Sequence, residues 1–530
     1  MTIKTAIKND QGQGLCWPLL MPLALIVTLF LLRHDAGPFW QWNLMDPSYF
    51  YLLDALNILN VQLPGHLAHP GVPVYTLGAG VLRLLSPFTP VTDITDAVLN
   101  DPEAALKSIS TLFFIINALM LWGVGFAALK IFKSVPAMIA VQLAPFVSGL
   151  ILKRGFLTAP ETLLIAATLV LLWITIWALD KDNLKNNRTR FAVLFGLSAG
   201  FTVAIKLTAA PIFVLPMLVL IKPRAIIIYG LTAGAAFLLF TIPAWGAYQE
   251  FFNFISDNVL RARSNAEFGA GSFGNISVLI KIYKRPVLLV PLLLSVFYLI
   301  VLGRRNDNWK CIFCSTEVRV VSGIILAQFF QALLVAKQPN AYYMIPSYML
   351  SPLALVLILR RLAEIKPMRI TGKRAGVVLL TIIVAVQISG VVRLDKELKL
   401  RFQASTAVDL STYDRCARVY IYAASSRSFA LYLADRVTGF RFTDRLKTVI
   451  PKNDYWLDDW LMNGQTLRNT NGIVDDPVRE LSTYPCLYVR GTRPGGGDMF
   501  LETFFPGRPV EYGLSTAAEQ IRTTGMNEKP

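Results

Sequence analysis

Three carboxylates and a scatter of cations stand where an apolar chain has little structural use for them. Asp46 and Asp54 follow the first apolar run, in MDPSYFYLLDALNILNVQLPGHLAHPGVPVY (45–75), with His66 and His69 close behind. Glu161 comes directly after Pro160 in KRGFLTAPETLL, just beyond Lys153 and Arg154. Lys206 lies in FTVAIKLTAAP, Arg261 and Arg263 in EFFNFISDNVLRARSNAEF, and Lys337 with Tyr342 and Tyr343 in KQPNAYYMIP. Carboxylates in such company can take a proton from a nucleophile, and the cations can hold a phosphate. Each also has a plainer use. Asp46 ahead of Pro47 has the form of an N-cap with Pro at N1. Glu161 in a first turn answers the helix dipole, and Lys and Arg anchor lipid headgroups.

The elements that hold these residues are membrane helices. Of 530 residues, 54% are hydrophobic and 16% charged, against about 25% charged in soluble domains, so lipid must solvate much of the chain. Apolar runs near 16–33, 107–129, 134–152, 160–179, 191–206, 208–221, 225–245, 286–303, 318–336, 341–359 and 375–393 predict eleven transmembrane helices. The first follows Lys4 and Lys8 without an A-x-A cleavage site and is expected to stay attached. The net charge of +17 fits Lys and Arg retained in cytoplasmic loops. No basic patch interleaved with stacking aromatics points to nucleic acid.

Charge also fixes the expected sidedness. With 72–86 lying in the outer interface instead of crossing, the basic loops at 130–133, 181–190, 222–224, 304–310 and 360–374 all face the cytoplasm. The opening stretch, 153–160, 246–285, 337–341 and everything beyond about 394 are then extracytoplasmic. Asp54, Asn57 and Asn60 recur at i, i+3, i+6, which predicts an amphipathic helix lying along the membrane surface.

Beyond 394 the pattern changes. RVYIYA (418–423) and CLYVRG (486–491) have the composition of strands, and SSRSFALYLADR (425–436) that of a helix. The expected fold is thus a polytopic α-helical membrane protein with a transmembrane domain over 1–393 and a small extracytoplasmic α/β domain over 394–530. The first carries outer loops at 34–106, with juxtamembrane helices, and at 246–285. Cys416 and Cys486 fall in the second domain. A bond between them would close a loop of about 70 residues, worth roughly 4 kcal/mol; two buried thiols are the alternative. Cys311 and Cys314 form a C-x-x-C with no second pair, a weak zinc signal.

In order and sidedness these segments resemble the GT-C glycosyltransferases, especially the branch of protein O-mannosyltransferases and lipid A aminoarabinose transferases. Asp46-Pro-Ser-Tyr stands where that family has an acidic residue ahead of a juxtamembrane helix. His69-Pro70-Gly71 stands at its His-Pro or Lys-Pro turn, Pro160-Glu161 at the acidic start of a later span, and Lys206 at its Lys before small residues and Pro. The resemblance covers roughly 15–360. Two places depart from it: the family often has Asp-Glu where this chain has Asp46-Pro47, and HPP is commoner than HPG.

The resemblance implies transfer of a sugar from a polyprenyl-phosphate donor, such as undecaprenyl phosphate, to a hydroxyl on a glycan, lipid or protein acceptor. The reaction would occur on the outer side of the plasma (inner) membrane. Asp46 would be the general base, with inversion at C1, and Glu161 would orient the acceptor or pair with a phosphate-binding cation. Arg261 and Arg263, then Lys206 and Arg154, would meet the donor phosphate. Asp54, His66, His69, Lys337, Tyr342 and Tyr343 would line the pocket. No cofactor is required; His66 and His69 at i, i+3 could hold a divalent cation or simply shape the Pro-Gly turns. Three rivals stay open: a ligase or polymerase with a pyrophosphate leaving group, a flippase or transporter of lipid-linked sugars, and a non-catalytic assembly subunit. A transporter would favour inverted repeats, and none is found.

Overall fold

Proline and small polar residues decide where the apolar runs become continuous helices. The computed structural model describes residues 16–41, 47–67, 71–256, 275–305, 315–337, 340–363, 369–406, 410–421, 426–457, 466–491, 496–515 and 520–525. Among these, seven helices are long and apolar enough to cross a membrane: Trp17–Asp35, Pro102–Phe132, Pro160–Trp177, Arg188–Ile205, Pro223–Phe240, Thr316–Lys337 and Ala341–Ala363. The chain is an integral membrane protein. The expected spans at 286–303 and 375–393 lie within the helices Pro286–Arg305 and Arg369–Thr406.

Two expected spans are broken. Residues 134–152 form the short helices Val135–Gln142 and Gly149–Gly155, each capped by a serine (Ser134, Ser148), with a 3-10 turn through Pro145 between them. Residues 208–221 begin as the 3-10 helix Leu207–Phe213, which contains Pro211, and become α-helical only over Val214–Leu220. Proline removes a backbone donor and clashes with the preceding turn, and the helix is interrupted at both places. The segment at 72–86 is the helix Val72–Leu85. At 1.5 Å per residue it is about 21 Å long, short of the roughly 30 Å hydrocarbon core.

The helix after the first span departs from expectation twice. It runs Ser48–Leu59 with Pro47 in the N-cap position, so Pro47 is not the first helical residue. It is also not a surface helix, because every residue from Ser48 to Asn57 is buried. A polar stripe at i, i+3 looks the same in sequence whether water or a packed partner satisfies it. Here the partner is protein: the helix packs against Arg427–Val437.

The polypeptide forms two compact units that interleave along the sequence. One comprises 1–32, 67–74 and 111–394; the other comprises 33–66, 75–110 and 395–530. The second contains a seven-stranded sheet, β1 (Ala417–Ile421), β2 (Asp454–Leu457), β3 (Leu467–Asn469), β4 (Gly472–Ile473), β5 (Cys486–Gly491), β6 (Glu511–Ser515) and β7 (Gln520–Gly525), in the order β4-β3-β2-β1-β5-β7-β6. β1 is parallel to both β2 and β5, and the other pairings are antiparallel. Central parallel strands are buried on both faces and largely apolar, and VYI (419–421) and LYV (487–489) meet that demand. The register Ala417↔Leu487 brings Cys416 beside Cys486. Their sulfurs are bonded, with Cα atoms 4.6 Å apart.

Candidate active site

Glu161 and Lys206 meet in the first unit. Ala159 is the extended N-cap of the helix Pro160–Trp177, Pro160 takes its first position, and Glu161 falls in its first turn. Lys206 is the residue at which the helix Arg188–Ile205 stops, in extended conformation, before the 3-10 segment begins. The two side chains are 6% and 3% exposed, and Lys206 Nζ lies 2.5 Å from Glu161 Oε1. A buried charge is tolerated only when paired, and each supplies the other's partner.

Arg154 and the tyrosine pair complete the cluster. Lys206 Nζ is 4.9 Å from the Tyr342 ring centroid and 5.2 Å from that of Tyr343, and Arg154 Cζ is 4.6 Å from Tyr342. The tyrosine rings pack edge to face at 4.6 Å. Two cations on one π system are held by its quadrupole as well as by charge. Neutral polar groups fix the frame. Thr162 Oγ1 donates to the carbonyls of Arg154 (2.9 Å) and Leu157 (2.5 Å), and Gln331 Nε2 donates to those of Thr208 (2.6 Å) and Tyr343 (2.9 Å). Lys337 ends the helix Thr316–Lys337, four residues ahead of the 3-10 turn Ala341–Met344 that carries the tyrosines.

Gly71 explains the HPG departure. Its N–H donates to the carbonyl of Ile205, the residue before Lys206, at 3.2 Å, and its φ is +71°. Proline here would lack the donor and could not adopt that angle.

In the second unit, Asp54 and His66 form a clamp. Asp54 Oδ1 accepts from Gly65 N (2.8 Å) and Asn57 Nδ2 (3.0 Å), and Oδ2 accepts from His66 N (2.9 Å). Asn57 Nδ2 also donates to the Thr438 carbonyl at 3.2 Å. Tyr75 Oη donates to the His66 carbonyl, and the His66 ring packs edge-on against Phe50 and Tyr51. Burial pushes the Asp54 carboxyl up to about 6 against the pull of its three donors. Both Asp54 oxygens are engaged in holding the 65–66 turn. Alanine at position 65 would put Cβ 2.5 Å from the Thr438 carbonyl carbon. Gly65→Ala is therefore expected to destabilise the fold by about 1–3 kcal/mol. Denaturant unfolding in mixed micelles checks this, and an unchanged midpoint would dismiss the contact.

Glu103 escaped the sequence reading. Its carboxylate accepts from the backbone N–H groups of Phe39 (3.0 and 2.9 Å) and Trp40 (3.4 Å) and from Tyr49 Oη (2.9 Å), with Arg33 4.0 Å away. It thereby secures the strip of chain leading toward Asp46. The signal was present: Pro102-Glu103 repeats the Pro-Glu opening of Pro160-Glu161. Asp46, His69, Arg261, Arg263, Cys311 and Cys314 lie outside the described residues. Among the described residues no three ligating side chains gather as a metal site.

No family model matches the chain, and no curated protein does. Two solved structures are similar to it. ArnT from Cupriavidus metallidurans bound to undecaprenyl phosphate aligns over 96% of this chain and 98% of its own, at 13% identity and a TM-score of 0.48. The same protein in the apo state aligns over 94% and 97%, at 12% identity and a TM-score of 0.49.

Proposed function

We propose that this chain is a membrane glycosyltransferase that moves a sugar from a polyprenyl-phosphate donor to an acceptor hydroxyl on the extracytoplasmic side. The observation that carries the reading is the buried Lys206–Glu161 pair beside Arg154 and the two tyrosines. One carboxylate against two cations leaves that cluster net positive, which suits a phosphate. Glu161, already bound to Lys206, acts by fixing the cation and not as a free base. The acceptor hydroxyl gives its proton to Asp46 as its oxygen attacks C1 of the sugar from the face opposite the phosphate. The C1–O bond breaks, C1 inverts, and the polyprenyl phosphate leaves with one more negative charge than it held as a diester. Lys206 and Arg154 meet that added charge, and Arg261 and Arg263 are proposed to assist.

Lipid extraction tests the reading. The protein purified from membranes should retain polyprenyl phosphate detectable by mass spectrometry, and Arg154→Gln should retain about tenfold less, as for loss of one charge-assisted hydrogen bond. In liposomes loaded with polyprenyl-phosphate sugar, transfer releases free polyprenyl phosphate. Movement of intact donor across the bilayer without that release would identify a flippase instead.

A further inference from the structure

A cavity runs along the helix that stops at Lys206, with its basic end at the opposite end of that helix. It has a volume of about 660 Å³ and opens between the helices Pro160–Trp177 and Arg188–Ile205. Trp173, Trp177, Asn183, Asn187, Arg190 and Ser198 line it, with an apolar floor that includes Val170 and Phe201. Arg190 and Lys206 are sixteen residues apart on this helix, about 24 Å at 1.5 Å per residue. The basic end of the cavity is thus remote from the active-site cluster.

Its polarity is graded. Arg190 lines it, and within the ten residues of sequence ending there stand three more cations, Lys181, Lys185 and Arg188, with Asp182 the one carboxylate among them. The neighbouring Asp180 is engaged as a helix cap, accepting from the N–H groups of Asp182 and Asn183 at 3.1 Å. Deeper in the wall, two enclosed donors, Trp173 Nε1 and Ser198 Oγ, have no hydrogen-bond partner among the described residues. Beyond them the floor is hydrocarbon. Buried donors are nearly always satisfied, and an apolar cavity lined by two of them calls for a ligand that brings oxygen acceptors into an apolar place. A basic end, then unfilled donors, then an apolar floor follow the order of phosphate, ester oxygens and acyl chain in a glycerophospholipid. Tryptophans at that depth match the interfacial belt, and basic pockets between membrane helices bind anionic headgroups.

We propose that this cavity is a binding site for an anionic phospholipid of the surrounding bilayer, its phosphate at Arg190 and its ester oxygens at Trp173 and Ser198. The site is independent of the proposed transfer reaction. Native mass spectrometry of the full chain, delipidated and titrated with phosphatidylglycerol or phosphatidylcholine, tests it. The wild type should hold phosphatidylglycerol about fivefold more tightly than phosphatidylcholine, the factor expected for one charge, and Arg190→Gln should erase that preference. Ser198→Leu, which fills the cavity, should reduce adducts of both lipids; Trp173→Phe offers the same readout with a smaller change in packing. Arg224→Gln, an equal charge loss on the exposed start of the next helix, should leave the preference intact. Equal retention of the two lipids by the wild type, or a preference that survives Arg190→Gln, would overturn the site. So would a preference lost as fully in Arg224→Gln, which would mean surface charge alone.

Discussion

Lys206→Met is expected to destabilise the folded protein by about 3–5 kcal/mol and to abolish transfer. The figure follows from taking the ammonium away from a buried carboxylate, which costs more than the pair itself contributed. Glu161 is 4% exposed and its Oε1 lies 2.5 Å from the ammonium, so water cannot replace the lost partner without opening the packing. The double variant Glu161→Gln/Lys206→Met separates fold from chemistry. With both charges gone, most of the stability should return, because neutral groups of similar size are tolerated where an ion pair was. Transfer should not return, since the cation that meets the leaving phosphate is still missing. Denaturant unfolding in mixed micelles and a transfer assay on the same preparations read the two effects. Recovery of turnover in the double variant would show that Lys206 serves only the fold.

Asp46→Asn is expected to lower turnover by about 10²–10⁴-fold, the usual contribution of a positioned general base, while the protein folds normally and retains donor lipid. Asparagine keeps the size and one acceptor oxygen but cannot accept the proton. Removing the base should therefore spare ground-state binding and raise only the barrier, so kcat falls with little change in donor affinity. Turnover together with the amount of co-purified polyprenyl phosphate decides the matter. Wild-type turnover would assign the base to another group. Donor lipid lost in step with turnover would make Asp46 a binding residue.

Legibility in the sequence varied with how local each cause was. Lys206 stood out as a charge in the apolar stretch FTVAIKLTAAP, and Glu161 as an acid beside a helix-opening proline. Both causes lie within a few residues, and the two side chains do meet. The strands around Val419 and Val489 and the cysteines before them were legible for the same reason. The Ser48–Leu59 helix was misread because what satisfies Asn57 is the carbonyl of Thr438, 381 residues away, which no periodicity reveals. The interruptions at Pro145 and Pro211 were written in the sequence, but apolar composition hid them. Glu103 showed nothing beyond a Pro-Glu step; its four partners come from 33–49, and their convergence belongs to the tertiary fold.

The interleaving of the two units sets a timetable for the protein's manufacture. Asn57 leaves the ribosome long before Thr438, and at about 5–20 residues per second the gap of 381 residues lasts roughly 20–80 s. Throughout that wait, the part of the Ser48–Leu59 helix that packs against Arg427–Val437 lacks that docking surface, so the nascent chain has to be shielded while the remaining helices are threaded into lipid. A premature stop anywhere before codon 438 would strand this early segment for good, which makes late truncations as damaging to the front of the molecule as to its end.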